Sequence, residues 1–509
     1  MPDRANVIVI HPDLGIGGAE RLIIDAALAL QSRGHRVTIY TSHRDKTHCF
    51  EEARDGTLDV RVRGNTIFPA HICGRLHILM AALRQLHLTW SLLNELRSRG
   101  RTDFPAAKND KNNDEVEGED RDDVFLVDQL PACVPVLKAF GQPRPSRRQR
   151  ILFYCHFPDQ LLARRDEKSS LLRLVKLIYR IPFDWFEGWA LSASDRVVAN
   201  SKFSRGVVRQ VFGTEKLGDV EVVYPCVPME STAKPAKMKT KEKPLWGGKK
   251  ILLSINRFER KKDMALAIRA YHGLEAEKRK GTRLVIAGKF LSVHLVAVFS
   301  NWFDIGGYDN RVQENVQYHQ ELDDLASGLG LQTATSKTVI SALSIPDSID
   351  VLFLLSVPTA FKDTLLAQSK LLLYTPINEH FGIVPVEAMQ AGLPVLASNT
   401  GGPLETIVEG ETGWLRDAHA VDEWTAVMDK VLYGMTPEEV DKMAAAGKTR
   451  AQQEFSFTAM GDRLEDEIST MLSAERRPFN GWQWVVDIIA LIFGGIFAIA
   501  IVVVLKSSG

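Results

Sequence analysis

Short apolar runs, each followed by a longer stretch with helical periodicity, recur along most of the chain. Runs of this kind are Val7–Ile10, Val37–Tyr40, Ile151–Tyr154 and Ile251–Ile255. Apolar runs of about four to eight residues are typical of strands that are buried on both faces. The alternation of strand and helix therefore predicts an α/β protein built on parallel sheets.

The clearest example lies between Ser369 and Ile407. The run Ser369–Tyr374 predicts a buried strand, and a polar loop follows it. A helix is expected after Gly382, because Pro385 stands near its first turn and Gly392 just past its end. A second strand and a second helix complete the segment, which is the unit from which a parallel sheet is built.

Two acidic residues give this segment candidate chemistry, Glu379 in the loop and Glu387 in the helix. They converge with a glycine and a helix N-terminus at the carboxyl end of a strand, where open α/β sheets bind ligands and where phosphate is favoured. The arrangement suits a phosphorylated, polyhydroxylated ligand. The alternative interpretation is that Glu379 is a solvated loop acid and Glu387 an ordinary first-turn acid favoured by the helix dipole. The spacing of the two residues alone does not decide between a ligand site and this alternative.

Polar residues also follow two other predicted strands. His156 stands just beyond Ile151–Tyr154, in a position that faces ligands in this architecture, although a structural histidine fits as well. Arg257 and Lys262 flank the turn after Ile251–Ile255, where cations can grip a diphosphate. A basic surface cluster is the usual alternative for such a run, and the strand-end location weakens it.

A glycine-rich turn, with Gly15, Gly17 and Gly18, joins the first strand to the helix Arg21–Ser32. The turn resembles a dinucleotide-binding loop only loosely, and no acidic residue follows on the expected strand. It therefore does not predict a nicotinamide site.

The length of 509 residues indicates two domains or more. The stretch 226–250 is rich in Pro and Lys and is interpreted as a linker between a first domain, 1–225, and a second, 251–437. Residues 438–475 predict helices that close the folded part. Two α/β domains of this kind are expected to face each other across a ligand-binding cleft.

The stretch 482–505 predicts a transmembrane helix. Its part Ile488–Leu505 is uncharged and apolar, long enough to span a bilayer, with Trp482 and Trp484 at one interface. A buried core helix is the alternative, but the run has no polar face. We expect a tail anchor with the bulk of the chain on the cytosolic side, and no signal peptide before the first strand.

Composition narrows the function classes. The formal net charge is zero, so overall charge gives no argument for nucleic-acid binding. The five cysteines are scattered, without the spacing of a zinc site or of a disulfide framework, which fits a reducing compartment.

Several segments together resemble the retaining glycosyltransferases of the two-domain GT-B type. They are HPDLGIGGAERL, ILFYCHFPD, SINRFERKKDMALAI, GGYDNRVQENVQYHQEL, NEHFGIVPVEAM and GGPLE. The combination is most similar to the dolichol-pathway mannosyltransferases that use GDP-mannose and form α-1,3 and α-1,6 linkages. The resemblance implies a GT-B fold, with two Rossmann-like domains facing a cleft, and it covers nearly the whole chain before the C-terminal apolar run.

The resemblance also implies a reaction and its place. Mannose would pass, with retention of configuration, from GDP-mannose to a dolichol-diphosphate chitobiose acceptor that carries one mannose. The reaction belongs to N-glycan precursor assembly at the endoplasmic reticulum membrane, with the catalytic domains on the cytosolic face. The resemblance admits a complex with other dolichol-pathway mannosyltransferases, and it implies no cofactor and no metal, because Arg and Lys serve the phosphates.

Roles for individual residues follow from the same resemblance. Arg257 and Lys262 would hold the GDP diphosphate, Glu379 would contact the mannose ring, and Glu387 the ribose hydroxyls. No protein nucleophile is implied, since the leaving phosphate takes the acceptor proton on the same face. The other implied positions are Gly382 and Ile383 with their backbone at the donor sugar, Gly17 and Gly18 lining the cleft opposite, and His156 beside the transferred sugar.

One segment departs from the family pattern. The strand Leu284–Ala287 is expected to run through Gly-Gly into Tyr308–Arg311, whereas Lys289–Ile305 stands between Gly288 and Gly306. Removing 289–305 and merging the flanking glycines restores VIAGGYDNR, and the flanking codons admit a splice donor and an acceptor in the same phase. We predict that the segment is a retained intron, which sequencing of the transcript tests.

Three other functions remain open on the sequence. The chain could be another lipid-linked retaining glycosyltransferase of this type, with a different sugar and acceptor. It could be a non-catalytic, membrane-anchored scaffold with a nucleotide fold, although Arg257, Lys262, Glu379 and Glu387 are all intact. A nicotinamide dehydrogenase would need the loose N-terminal glycine pattern to bind pyrophosphate.

Overall fold

The computed structural model describes residues 4–46, 49–69, 77–99, 121–141, 148–162, 170–227, 244–289 and 313–477. Three predicted segments lie outside these residues: the insert at 289–305 apart from its first residue Lys289, the transmembrane helix at 482–505 and most of the linker at 226–250. Within the described ranges, no helix combines the length and the apolar character needed to cross a bilayer.

The described residues divide into two compact units. The first takes in those within Met1–Asn200, Ser204–Val223 and Gly461–Gly509, and the second those within Ser201–Phe203 and Tyr224–Met460. Each unit is an α/β structure around one parallel sheet. The prediction of two parallel α/β sheets is therefore confirmed.

The first unit contains, among its described residues, a sheet of seven parallel strands. They are β1 Asn6–Leu14, β2 Arg36–Arg44, β3 Asp59–Val62, β4 Asp123–Asp128, β5 Gln149–Cys155, β6 Arg196–Ala199 and β7 Val220–Val222. Their order across the sheet is β3-β2-β1-β4-β5-β6-β7. Consecutive residues Val7, Ile8, Val9 and Ile10 are all at most 3% exposed, so both faces of β1 are covered.

Helices connect these strands. They are α1 Gly18–Ser32, α2 His77–Arg99, α3 Val134–Phe140, α4 Asp159–Leu162, α5 Ser170–Ser192, α6 Lys202–Phe212 and α7 Thr214–Leu217, with a 3₁₀ turn at Glu51–Ala53. The first of them, α1, begins at Gly18, the last glycine of the glycine-rich turn, and ends before Gly34, whose φ of 88° suits a helix C-terminus.

The second unit contains a sheet of the same kind, with seven parallel strands among its described residues. They are β8 Lys250–Ile255, β9 Thr282–Lys289, β10 Thr333–Ser336, β11 Val351–Val357, β12 Ser369–Tyr374, β13 Val395–Ser398 and β14 Gly413–Arg416. Their order is β10-β11-β9-β8-β12-β13-β14. The core beside this sheet is built around the fully buried side chains of Phe258, Phe353 and Trp424.

The helices of the later part of the chain are mostly short. They are α8 Met264–His272, α9 Ala276–Arg279, α10 Gln313–Gly328, α11 Val339–Leu343, α12 Thr359–Gln368, α13 Ile383–Ala391, α14 Pro403–Thr406, α15 Val421–Asp429, α16 Pro437–Glu454 and α17 Phe457–Ser473, with 3₁₀ turns at Leu245–Gly248 and Arg260–Lys262 and a π turn at Lys430–Gly434. A capping box between Thr436 and Glu439, with Pro437 as the first helical residue, begins α16.

Most of α17 returns to the first unit. Arg150 of β5 donates from Nη2 to the carbonyl oxygen of Ala474 at 2.8 Å, and Arg196 of β6 pairs with Glu467 at 2.6 Å. The second unit ends at Met460. The two last helices are therefore divided, with α16 in the second unit and most of α17 in the first.

Both sheets reverse their strand order beside their first strand. In the first sheet β1 lies between β2 and β4, and in the second β8 lies between β9 and β12. At such a point the connections leave in opposite directions, so a crevice opens outside the carboxyl ends of the two strands, and ligands bind there in open α/β sheets. The residues that follow β1, β4 and β5, and those that follow β8 and β12, are thus the candidates for function.

Candidate functional site

In the second unit, a basic turn follows β8. Lys262 ends the 3₁₀ turn and is only 8% exposed. Its carbonyl oxygen accepts a hydrogen bond from Thr375 Oγ1 at 2.6 Å, which ties the turn to the start of the loop after β12. Arg257 Nη1 lies 2.7 Å from Glu259 Oε1. Two cations, one of them buried, therefore stand at the carboxyl end of the first strand of this sheet.

The loop after β12 brings Glu379 to these cations. The Lys262 ammonium forms a short ion pair with Glu379 Oε2. Burial raises the pKa of Glu379, but Lys262, with smaller contributions from His380 and Arg257, more than offsets it, so the pKa lies below its usual value. Glu379 is thus an ionised carboxylate at neutral pH. The structure thus brings Glu379 to the basic turn of Arg257 and Lys262, which the sequence predicts at a different strand end.

Tyr374, the last residue of β12, forms a hydrogen bond with this carboxylate. Burial and the hydrogen bond with Glu379 hold the pKa of the Tyr374 hydroxyl well above its ordinary value, so Tyr374 remains a neutral donor. A Cβ atom on Gly382 would lie 3.2 Å from the Tyr374 ring. The loop therefore folds directly over the tyrosine, which a larger residue at Gly382 would disturb.

Two glycines after β13 hold the loop in place from the other side. The Gly402 amide donates to the carbonyl oxygen of Glu379 at 2.7 Å. A Cβ atom on Gly402 would come within 2.1 Å of the Phe381 carbonyl oxygen, and one on Gly401 within 2.5 Å of the Glu379 carbonyl oxygen. Only glycine permits this close approach of two backbones. These contacts, together with the packing of the buried Phe381 ring on Tyr224 and Phe455, fix the backbone that carries Glu379.

The helix α13 begins directly at this loop. Gly382, at a φ of 85°, precedes its first residue Ile383, and no side chain caps its first amides. One turn along, Glu387 Oε1 lies 2.9 Å from Lys362 Nζ, while Glu387 Oε2 is buried and has no hydrogen-bond partner. A buried carboxylate oxygen without a partner is costly. It is therefore a ready acceptor for a ligand hydroxyl.

In the first unit, His156 belongs to a buried cluster at the carboxyl ends of β1, β4 and β5. Asp128, fully buried at the end of β4, accepts from His11 Nδ1 at 2.8 Å through Oδ1, and its Oδ2 lies 3.1 Å from His156 Nε2. The three strands are neighbours in register, because Ile10 of β1 pairs with Val127 and Asp128 pairs with Tyr154 of β5. Parallel pairing thus places two histidines on one aspartate.

Opposing charges fix the protonation of this cluster. Burial lowers the pKa of His11, but Asp128 outweighs it and raises the pKa to about 9. Burial raises the pKa of Asp128, and the two histidines lower it below the usual value. Glu20, mostly buried in the first turn of α1, has a raised pKa, first because of burial. At neutral pH the cluster therefore contains an imidazolium at His11 and a carboxylate at Asp128.

The glycine-rich turn carries Glu20 toward this cluster. A Cβ atom on Gly17 would lie 2.1 Å from Glu20 Oε2, whereas one on Gly18 would meet nothing within 4 Å. A side chain at position 17 would therefore displace the Glu20 carboxylate, and Gly18 leaves open space at the start of α1. The role of both glycines in lining a cleft stays a prediction.

Sequence reasoning missed several of these residues. The partners that it did not select are His11, Glu20, Asp128, Lys362 and Tyr374. A signal existed for His11 and Asp128, because each is a polar residue at the end of an apolar strand, as His156 is. No local signal marks Lys362, which meets Glu387 only through the packing of α12 beside α13.

Among the described residues, no group of three or more His, Cys, Asp or Glu is arranged to hold a metal ion.

Comparison with known proteins adds the family. The model for Glycosyltransferase Family 4 matches residues 116–231, and that for Glycosyl transferases group 1 matches residues 237–450. The chain is 48% identical over 475 residues to the alpha-1,3/1,6-mannosyltransferase alg-2 of Neurospora crassa, covering 92% of this chain and 91% of the relative. It is 38% identical over 496 residues to the ALG2 protein of the same description from Saccharomyces cerevisiae, covering 94% and 88%.

Solved structures share the fold. A sucrose-phosphate synthase from Thermosynechococcus elongatus superposes with a TM-score of 0.59 at 15% identity, covering 93% of this chain and all of that one. The Anabaena protein HepE, crystallised with UDP and glucose, gives a TM-score of 0.56 at 17% identity, covering 92% and 100%. At such low identity these structures speak for the fold alone.

The contact of Gly402 with the loop can be tested by Gly402→Ala. The added methyl group must displace the backbone at Phe381, so we expect a loss of about 1–3 kcal/mol in the free energy of unfolding, and weaker nucleotide binding. Denaturant unfolding and nucleotide titration measure the two effects. Gly328→Ala, at the end of α10 where a Cβ atom meets nothing within 4 Å, is the matched control and should lower neither. Equal behaviour of the two variants would contradict the contact.

The charge state of His11 predicts how stability depends on pH. The pKa is about 9 in the folded state and 6.5 without perturbation, so the stabilisation is complete below about pH 6.5 and is lost as the pH rises through 9. Over this window the free energy of unfolding should fall by up to about 1.4 kcal/mol per pH unit more than in His11→Asn, which keeps a donor to Asp128 but does not titrate. Parallel stability curves for the two proteins would show that His11 is neutral when folded.

Proposed function

The chain belongs to the family of the α-1,3/1,6-mannosyltransferases and is a glycosyltransferase with a GT-B-like fold, and from this we propose its reaction. It transfers mannose from GDP-mannose, in α-1,3 and α-1,6 linkage, to a one-mannose dolichol-diphosphate chitobiose acceptor in N-glycan precursor assembly. The observation that carries the proposal is the ion pair of Glu379 with Lys262 at the strand-order reversal of the second sheet. It lies beside the N-terminus of α13, which no side chain caps.

The donor diphosphate is assigned to Arg257, Lys262 and the first amides of α13. Departure of GDP develops negative charge on the phosphate, and preorganised cations and helix-end amides stabilise such charge in a site from which water is excluded. Lys262 is already desolvated and held by Thr375 and Glu379, so it needs little rearrangement when the donor binds. This arrangement favours the transition state over the bound substrate.

The ribose of the nucleotide is assigned to Glu387. Its Oε1 is held by Lys362, and the buried Oε2 has no partner of its own, so it can accept from a ribose hydroxyl without losing an existing contact. Binding thereby satisfies an acceptor that is otherwise buried at a cost. The mannose is assigned to Glu379 with the backbone of Gly382 and Ile383.

Retention of configuration needs no covalent intermediate in this assignment. The leaving phosphate takes the proton of the acceptor hydroxyl on the same face, and the carboxylate of Glu379 contributes electrostatic stabilisation and positioning. His156 is assigned to the transferred sugar. Gly17 and Gly18 are assigned to the approach of the substrate on the first unit.

A lipid acceptor requires contact with a membrane, and the first unit offers a suitable surface. Leu161 and Leu162 of α4 are 50% and 53% exposed, and Ile181 and Trp185 of α5 are 64% and 44% exposed. Apolar side chains grouped on adjoining helices are typical of surfaces that bind membranes or other proteins. We assign this surface to contact with the cytosolic face of the endoplasmic reticulum membrane, and we assign residues 482–505 to a transmembrane helix that anchors the chain there. A complex with other dolichol-pathway mannosyltransferases would form there.

The decisive assay is transfer from GDP-mannose to a lipid-linked chitobiose diphosphate that carries one mannose. It uses purified protein in vesicles, with residues 289–305 either present or removed. Two added mannoses from the shortened form alone would support both the reaction and the retained intron. Equal activity of both forms would make the segment a tolerated loop. No transfer from either form, with GDP still bound, would favour another acceptor or a scaffold role.

The two carboxylates should separate in kinetics. Glu379→Gln keeps the shape but removes the charge, so we expect kcat to fall about 10²–10³-fold with little change in GDP binding. Glu387→Ala should weaken GDP binding about 10-fold or more, because the ribose loses its charged acceptor. Glu411→Gln, at an exposed loop acid, is the control for a lost charge. A Glu379→Gln protein with normal turnover would refute the role of that residue.

The apolar surface on α4 and α5 predicts a dependence on the lipid. The double variant Ile181→Ser/Trp185→Ser should raise KM for the lipid-linked acceptor in vesicles at least about fivefold and leave KM for a short-chain, soluble acceptor unchanged. The control is Ile340→Ser/Leu343→Ser on α11, at residues that are 81% and 51% exposed. The surface would lose its assignment if both double variants behaved alike.

A further inference from the structure

The cluster around Asp128 contains more than the assignment of His156 uses. Asp128 is completely buried, and its two oxygens receive both His11 and His156. An ionised carboxylate has no hydrogen to donate, so each imidazole must direct an N–H at it. The hydrogen bond to His156 therefore requires the proton on Nε2.

The other nitrogen of His156 is left for a ligand. Within the part of the chain that the structure describes, no hydrogen bond reaches His156 Nδ1. The side chain is 20% exposed, whereas Asp128 and His11 are fully covered, so His156 is the member of the cluster that a ligand can touch. The Tyr154 ring, 5.2 Å from the imidazole between ring centroids, packs beside it.

His11 keeps the carboxylate anionic. It lies 2.8 Å and 3.0 Å from the two oxygens of Asp128 and has no access to solvent, so its positive charge is held against the aspartate. A protonated, neutral Asp128 would donate the hydrogen bond to His156 instead of accepting it. The pair thus makes Asp128 a dedicated acceptor.

We propose that Asp128 is a positioning residue that fixes His156 as the Nε2–H tautomer, so that Nδ1 accepts a hydrogen bond from one hydroxyl of the transferred sugar. A carboxylate behind an imidazole sets its orientation and its tautomer, which decides whether the exposed nitrogen donates or accepts. The ligand-facing atom is then a lone pair, which fits a hydroxyl donor and does not fit a phosphate oxygen. This inference rests on the proposed mannosyl transfer.

The tautomer can be measured without any reaction. In the full chain labelled with ¹⁵N-histidine and reconstituted at neutral pH without donor, His156 should show a protonated Nε2 and an unprotonated Nδ1, with its signals identified by their loss in His156→Ala. A proton on Nδ1 in the wild-type protein would overturn the proposal. This result stands whether or not mannose is transferred, so its failure is separate from a failure of the proposed function.

Asp128→Asn tests the link between the aspartate and the sugar. GDP-mannose is compared with analogues that each lack one mannose hydroxyl. In the wild-type protein, loss of the hydroxyl bound by His156 should lower kcat/KM about 3- to 10-fold. In both Asp128→Asn and His156→Ala this ratio should fall to about 1, while the ratios for the other hydroxyls stay as they are.

A matched control separates positioning from stability. Asp195 is also a buried aspartate, paired with Lys138 in the same unit and hydrogen-bonded to the Ile151 amide at 2.9 Å. Asp195→Asn should lower the free energy of unfolding but keep every hydroxyl ratio. An Asp128→Asn protein that loses activity with all hydroxyl ratios intact would make Asp128 structural only and would overturn the proposal.

Discussion

The strand-order reversal beside the first strand of each sheet is the constraint on which the candidate site of each unit depends. Because the connections on the two sides of β1, and of β8, leave in opposite directions, the carboxyl ends of these strands are not covered by a crossover. Polar residues can then occupy strand ends that would otherwise be part of an apolar layer. His11, Asp128 and His156 use this position in the first unit, and Lys262 and Glu379 use it in the second.

Each candidate site contains a carboxylate, fully buried at Asp128 and partly exposed at Glu379, that neighbouring basic groups keep ionised. Asp128 is paired with His11, and Glu379 with Lys262, and in both cases the neighbouring basic groups together more than offset the effect of burial, so the pKa of the acid lies below its usual value. A buried pair of this kind contributes little net stability, because the desolvation of both groups opposes their attraction. Its value lies in charge that is already oriented before a substrate binds. The two pairs therefore serve preorganisation rather than folding.

Contacts around the loop that carries Glu379 also preorganise the candidate site of the second unit. The loop from Asn378 to Gly382 is held by the buried ring of Phe381, which packs against Tyr224 and Phe455. The glycines that follow β13 hold it as well, and so do hydroxyl groups such as Ser398, which donates to the Pro376 carbonyl oxygen at 2.5 Å. Contacts of this kind fix the backbone while the Glu379 carboxylate pairs with Lys262 and the first amides of α13 have no side-chain cap. Membership in a mannosyltransferase family agrees with such a site, since a sugar nucleotide offers both phosphate and hydroxyl groups.

The sequence by itself determined the two parallel α/β sheets and the strand-end placement of Arg257, Lys262, Glu379 and His156, because apolar strand runs and turn residues are local signals. Only the tertiary structure decided which of these residues meet, since Lys262 and Glu379 are joined by strand order and not by spacing along the chain. The same holds for Asp128, which becomes a partner of His11 and His156 when β1, β4 and β5 align in register. Pairing across a sheet is a long-range choice, and no short stretch of sequence contains it.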